Sequence, residues 1–187
     1  MDLQRLSHTV VYRGKVFDLE VDEIRYASGN KGVREVARHP GGAVAVPVLP
    51  DGTILFVKQF RYPLQAYTLE IPAGKLNPGE DPAAAAAREL EEETGWIAGR
   101  LEKLTSLLTT PGFCDEVLHI FLATGMAPAP GGHRREEGEL GMTIHAISLG
   151  EALELVERGE ITDSKTIVGL FLAERKLKTI VPEPPRI

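Results

Sequence analysis

Four glutamates, Glu89, Glu91, Glu92 and Glu93, fall within one short stretch of the chain. On a helix that advances about 100° per residue, Glu89, Glu92 and Glu93 share about one third of the circumference, and Glu91 points elsewhere. Like charges three and four residues apart repel by roughly 0.2–0.5 kcal/mol per pair, and carboxylates near a helix C-terminus oppose its dipole. A sequence breaks local rules in this way where a site requires it. The chemistry that suits the cluster is ligation of a hard divalent cation. Mg²⁺ in particular is held by a few carboxylates together with phosphate oxygens of a substrate. The competing reading is a solvated acidic face, which is what most Glu-rich runs are.

The surrounding residues predict the helix that would position these groups. Asp81 suits the N-cap, Pro82 the first helical position, and Gly95 a left-handed stop after the last turn. Ala83, Ala87 and Leu90 make an apolar flank expected to pack on a sheet. Ala85 and Ala86, one turn before the acidic residues, leave room for a close approach. Arg88 lies one turn before Glu92 and can pair with a carboxylate to fix the cluster.

The chain has 187 residues, enough to bury a substantial core in one moderate domain, or in one domain with a small appendage. Its net charge of −6 argues against nonspecific attraction to nucleic acid, although bridging cations would let an acidic protein handle phosphates. The single cysteine, Cys114, rules out an internal disulfide and suits a reducing compartment. Residues 1–15 hold no apolar signal segment, and no run approaches a membrane span. A soluble cytoplasmic protein, with no membrane or nucleic-acid partner, is expected.

Residues 8–26 alternate loosely around Val10, Tyr12, Phe17, Leu19 and Val21 and read as two strands; Val33–Ala37 reads as a third. This N-terminal antiparallel β-meander is assigned residues 1–40, with His39-Pro40-Gly41-Gly42 as the break before a main body at 41–187. Ala43–Leu49 and Thr53–Phe60, around Asp51-Gly52, predict a hairpin. Further strands are expected at Tyr67–Ile71, Arg100–Leu108, Val117–Ala123 and Met142–Ile147. Residues 126–141, rich in Gly, Pro and charge, predict a surface loop. Helices are expected at Leu149–Arg158 and Ser164–Lys176, and Pro182–Ile187 predicts a tail or docking arm. The fold class is α+β.

Read from Gly74, the chain runs through Glu80, Arg88-Glu89, Leu90, Glu91, Glu92-Glu93, Thr94 and Gly95 to Trp96. This string resembles the Nudix hydrolase signature, G-x5-E-x7-R-E-U-x-E-E-x-G-U, where U is bulky and apolar. Every fixed position is filled, and only Trp96 departs from the usual aliphatic residue. Pro111, sixteen residues after Gly95, and the segment Thr110–Glu116 are similar to the ADP-ribose pyrophosphatase branch. So are Lys58–Tyr62, Leu69–Gly74 and Glu160–Thr166. The likeness covers most of the chain, from about Tyr12 to Glu174.

The resemblance implies an α/β/α sandwich and metal-dependent hydrolysis of ADP-ribose to AMP and ribose 5-phosphate. The rival readings are a broader nucleoside diphosphate sugar pyrophosphatase, of ADP-glucose or GDP-mannose type, and a non-catalytic nucleotide sensor. It implies Mg²⁺ as cofactor, with Mn²⁺ as a substitute, held by Glu89, Glu92, Glu93 and the carbonyl of Ala73. Glu80 and Arg88 are implied supports. The general base would be a glutamate of the late loop: Glu139 first, then Glu137, with Glu136 the third candidate. Arg61, Pro111 and Gly112 are the implied substrate contacts, and Phe17, Tyr12 or Tyr26 would stack on the base. A homodimer is expected, because relatives exchange this meander between subunits and three strands cannot bury both faces.

Overall fold

The computed structural model describes residues 3–135 and 137–180. Glu136 and the Pro-rich end at Pro182–Ile187 lie outside the described residues. The chain divides into two compact units: Met1–Gly41 with Leu108–Val117, and Gly42–Leu107 with Leu118–Ile187.

In the first unit, β1 (Leu3–Arg13), β2 (Asp18–Tyr26) and β3 (Lys31–Arg38) form an antiparallel sheet in chain order. Gly29 closes the second turn at φ +88°, a conformation that costs glycine little. The 108–117 segment is stitched to β3: the Ala37 amide donates to the Phe113 carbonyl, and the Asp115 amide donates to the Ala37 carbonyl. Ile24 of β2 is buried, whereas Leu3, Val11, Tyr12 and Val33 on the strands and Val16 and Phe17 in the turn between β1 and β2 are exposed.

The second unit carries two sheets. The larger has the order β7 (Ala73–Lys75), β4 (Gly42–Pro47), β10 (Val117–Thr124), β9 (Arg100–Leu108). Its β10 runs parallel to β4, and β7 antiparallel. The smaller sheet is antiparallel, with β5 (Thr53–Arg61) between β12 (Thr143–Ser148) and β6 (Ala66–Glu70). Short strands β8 (Trp96–Ile97) and β11 (Ala127–Pro128) pair separately.

The expected hairpin of 43–49 with 53–60 does not form. A turn links the two strands, with the Leu49 amide donating to Thr53, but only a Val48–Ile54 bridge joins them and they enter different sheets. Every residue of β4 is buried. A strand buried on both faces gains more at the centre of a covered sheet than in a two-stranded hairpin.

The alternation along the central strands explains the layers. Ala43 and Ala45 of β4, with Phe121 and Ala123 of β10, face helix α1 (Pro82–Thr94) through its Ala85, Ala86 and Leu90. Val44, Val46, Ile120 and Leu122 face the opposite way. There they share a core with Ala152 of α2 (Leu149–Glu157) and with Leu170 and Ala173 of α3 (Ser164–Ile180). Helices on both faces of a sheet give the expected α/β/α layering within an α+β chain. Fully burying such aliphatic side chains contributes about 1.5–3 kcal/mol each. Among the described residues, no helix is long and apolar enough to cross a membrane.

Candidate active site

Helix α1 is capped as its sequence predicts. Asp81 accepts hydrogen bonds from the Ala83 and Ala84 amides, Pro82 opens the helix, and Gly95 ends it at φ +72°. Its buried face differs from expectation. Ala85 and Ala86 are buried with Leu90, Glu93 and Thr94, whereas Ala83 and Ala87 are only partly covered. The small residues therefore admit the sheet rather than a ligand. Alanine against Ala43 lets α1 lie close to β4, and this brings its acidic side onto neighbouring β7.

Two contacts record that approach. Glu93, 2% exposed, accepts a hydrogen bond from the Ala73 amide at 3.2 Å. The carboxylate of Glu89 lies over Gly74, where a Cβ would stand 1.9 Å from Glu89 Cδ. Only glycine fits there, which gives the first residue of the motif a steric reason.

Arg88 ties the rest together. Its Nε and Nη2 donate to the two carboxylate oxygens of Glu80 at 2.9 and 3.0 Å. Its Nη1 donates to Glu89 at 2.7 Å and Glu92 at 3.1 Å, and Nη2 also reaches the Lys75 carbonyl. The Arg88 bond and the Asn77 amide hold Glu80 down at about 2. Glu91, as its angle predicted, is apart from the cluster and pairs with Arg134 at 3.0 Å.

Charge within the cluster is poorly compensated. Burial, then repulsion from Glu139 and Glu89, pushes the Glu93 carboxyl up to about 8, and Lys165 only partly opposes this. Burial also raises Glu89, outweighing the help of Arg88. Among the described residues no group of three or more His, Cys, Asp or Glu side chains stands in position to hold a metal ion. Glu89 and Glu92 are drawn onto Arg88, and Glu93 onto the Ala73 amide. The donor set nevertheless fits a hard divalent cation. It is all oxygen, it is crowded onto one helix face, and the charge of Lys165 only partly offsets the burial and repulsion at its most buried carboxylate.

Of the late-loop candidates, Glu137 and Glu139 lie in a single 3-10 turn. Glu139 adds to the repulsion on both Glu89 and Glu93, whereas Glu137 is not among the principal influences on either. The loop is fastened to the end of α1. Arg135 Nε donates to the Glu93 carbonyl at 2.8 Å, and Nη1 to the Met142 carbonyl at 2.5 Å. The Arg134 amide donates to the Glu92 carbonyl at 2.8 Å. These bonds satisfy carbonyls that a helix terminus leaves open.

Arg61, at the end of β5, lines a cavity of about 440 Å³ with Pro63, Leu64, Thr68, Glu70, Thr162, Asp163 and Ser164. Its guanidinium forks onto Glu70, with Nε–Oε1 at 2.7 Å and Nη2–Oε2 at 2.6 Å. Glu70 is 2% exposed. Burial opposes its ionisation, but Arg61 and Lys165 reverse the effect and bring its pKa down to about 2.

Phe17, Pro111 and Gly112 belong to the first unit. Phe17 is exposed and tilted against Tyr12, with ring centroids 6.3 Å apart. Pro111 and Gly112 form the exposed tip of a turn closed by the Cys114 amide donating to the Thr110 carbonyl. Tyr26 is engaged by Arg34, which donates to its hydroxyl at 2.6 Å and lies over its ring.

The structure adds four residues around the site that the sequence reading does not assign to it: Glu70, Lys165, Arg134 and Arg135. Glu70 directly precedes Ile71-Pro72-Ala73-Gly74, and a lone acid at the end of an apolar strand was a usable signal. The others act across 42 to 95 residues of chain, a separation with no local sequence pattern.

A family model described as the NUDIX domain matches residues 39–167. The chain is 43% identical over 176 residues to an ADP-ribose pyrophosphatase of Bacillus subtilis (strain 168), covering 94% of this chain and 95% of that one. It is 36% identical over 173 residues to an ADP-ribose pyrophosphatase of Mycobacterium tuberculosis, covering 91% and 82%. The fold is also similar to a crystal structure of an ADP compounds hydrolase, with a TM-score of 0.85, 22% identity and 97% of each chain covered. With its motif complete, its family model spanning most of its length and a relative 43% identical over nearly the whole chain, this chain belongs to the Nudix hydrolase family.

Proposed function

We propose that this chain hydrolyses ADP-ribose to AMP and ribose 5-phosphate, in the cytoplasm and with Mg²⁺ as its cation. The observation that carries the reading is Glu93: a buried carboxyl, crowded by Glu89 and Glu139, whose ionisation calls for a positive partner. Similarity to ADP-ribose pyrophosphatases over most of the chain supports the choice of substrate.

In this reading Glu89, Glu92, Glu93 and the Ala73 carbonyl hold the cation. When bound, it supplies charge neutralisation at the phosphate oxygens and a more acidic water. Glu139 accepts the proton of the attacking water as its oxygen bonds to phosphorus. The bridging P–O bond breaks, and the departing phosphate keeps the bond's electrons. Arg88 positions Glu89 and Glu92 from Glu80, and Arg61 donates to the substrate from the cavity wall. The turn at Pro111-Gly112 contacts the nucleotide, and Phe17 stacks on the base. The meander of residues 1–40 serves base contact and dimerisation, and a second copy covers its exposed Leu3, Val11, Tyr12 and Val33.

The test is a substrate panel with Mg²⁺: ADP-ribose, ADP-glucose, GDP-mannose, diadenosine polyphosphates and nucleoside triphosphates. ADP-ribose should give the highest kcat/KM, and Glu92→Gln and Glu93→Gln should each lower turnover sharply while the protein stays folded. Another substrate in first place would overturn the specificity. Full activity in both variants would overturn the site. Light scattering checks the dimer, and a monomer mass at every concentration would remove it.

A further inference from the structure

Glu70 gathers an unusual number of donors for one carboxylate. Oε1 accepts from Arg61 Nε at 2.7 Å and from the Thr68 hydroxyl at 2.6 Å. Oε2 accepts from Arg61 Nη2 at 2.6 Å, from Lys165 Nζ, and from Gln59 Nε2 at 3.5 Å. Two cations thus converge on one buried acid. Lys165 is also buried and donates to Asp163 at 2.9 Å, so the four charges balance. Asp163 in turn accepts from the amide and hydroxyl of Thr166, whose hydroxyl accepts from the Ile71 amide. This tie fixes the start of α3 to the end of β6.

A structural lock between α3 and β6 needs only Lys165 and Glu70. Arg61 is surplus to it. Its side chain is 41% exposed and lines the cavity, so its burial cannot explain the fork. What the fork does is set the plane of the guanidinium. With Nε and Nη2 committed to Glu70, the Nη1 edge has no acceptor among the described residues. It remains as a donor pair on a side chain that lines the cavity together with Thr68, Thr162 and Ser164. An arginine fixed in this way has lost its rotamer freedom before a ligand arrives, so less is lost on binding.

We infer that Glu70 is a positioning residue: it acts through Arg61, presenting Nη1 to an oxygen-rich group of the substrate, a phosphate or a sugar. The inference rests on the proposed hydrolysis of nucleoside diphosphate sugars. It adds that affinity depends on Glu70, a residue outside the metal cluster. Lys165 holds Glu70 from the α3 side and is shared with Asp163, so Glu70 stays fixed as the acceptor of the Arg61 fork.

The experiment is a double-mutant cycle on steady-state hydrolysis of ADP-ribose, with Glu70→Gln, Arg61→Ala and the pair. Glu70→Gln should raise KM about tenfold while kcat changes by less than about threefold, the pattern of lost substrate binding. In the Arg61→Ala background, Glu70→Gln should change KM by less than about twofold, because residues acting as one unit are not additive. A purely structural Glu70 would lower thermal stability and give additive effects on KM, and that result overturns the inference. If Glu70→Gln does not fold, Arg61→Lys decides, since lysine keeps the charge but cannot make the fork. Its KM should match that of Arg61→Ala, and a wild-type KM overturns the inference. A wild-type protein inert on every nucleoside diphosphate sugar defeats the functional reading and the inference with it. An active wild type with additive variants defeats the inference alone.

Discussion

The carboxylate of Glu89 occupies the space that a side chain on Gly74 would need, 1.9 Å from the position of its Cβ. Gly74→Ala is therefore expected to expel Glu89 from its place on β7. Overpacking of this kind costs about 1–3 kcal/mol, and turnover should fall by about a hundredfold if Glu89 is a cation ligand. Denaturant unfolding and kcat measure the two effects. Adding Glu89→Ala to Gly74→Ala should recover the stability and leave the rate low, whereas recovery of both would show that Glu89 has no chemical part.

The burial of Glu93 makes the metal-free protein sensitive to pH. Its carboxyl is raised from 4.5 to about 8, so the folded state binds this proton more tightly than the unfolded chain. The stabilisation is complete below about 4.5 and is lost as pH rises through about 8. In chelator, Tm should decline across that window, and Glu93→Gln should flatten the decline. Cation binding near neutral pH should release a proton from Glu93, as a ligand must be deprotonated. Calorimetry in two buffers of different ionisation enthalpy measures the release, which should vanish well above pH 8.

Glu139 and Glu137 lie in the same turn, yet only Glu139 is prominent in the electrostatics of Glu89 and Glu93. Glu139→Gln should lower kcat by about 10²–10⁴-fold, the usual contribution of a general base. Its metal affinity, measured separately by titration, should not weaken. Glu137→Gln should stay within about threefold of wild type. The opposite ranking would move the base to Glu137.

Arg135 fastens the loop by two carbonyls, Glu93 at one end and Met142 at the other. Arg135→Ala should leave Glu139 present but poorly placed, lowering kcat by at least about tenfold with little change in KM. Lysine can make one of the two bonds, so Arg135→Lys should fall between alanine and wild type. Hydrogen exchange over residues 133–142 should quicken in the same order. Unchanged exchange with lowered kcat would place Arg135 at the substrate instead.

Local chemistry determined α1 and most strands from the sequence alone. Asp81, Pro82 and Gly95 act on backbone groups within a few residues, so the helix ends could be read directly. The spacing of Glu89, Glu92 and Glu93 likewise follows from the helical repeat and needs no tertiary information. The family motif added the support of Arg88 by Glu80, two residues eight apart that the fold brings within 3.0 Å. The expected 43–60 hairpin failed because turn chemistry governs the connection, whereas burial on both faces governs which strand β4 pairs with.

What the tertiary structure decided are the interactions between distant segments. Ala85 and Ala86 looked like space for a ligand, and packing gave that space to Ala43. Whether an acidic residue on a helix is solvated or buried depends on what covers it. Glu91 and Glu93 are two residues apart with the same side chain, yet one pairs with Arg134 and the other is buried, which pushes its carboxyl up to about 8. Lys165 reaches Glu70 across 95 residues of chain, and no pattern along the sequence encodes that meeting. Periodicity and capping are short-range and legible in one dimension. Desolvation and charge pairing depend on three-dimensional neighbours, and only the folded chain supplies them.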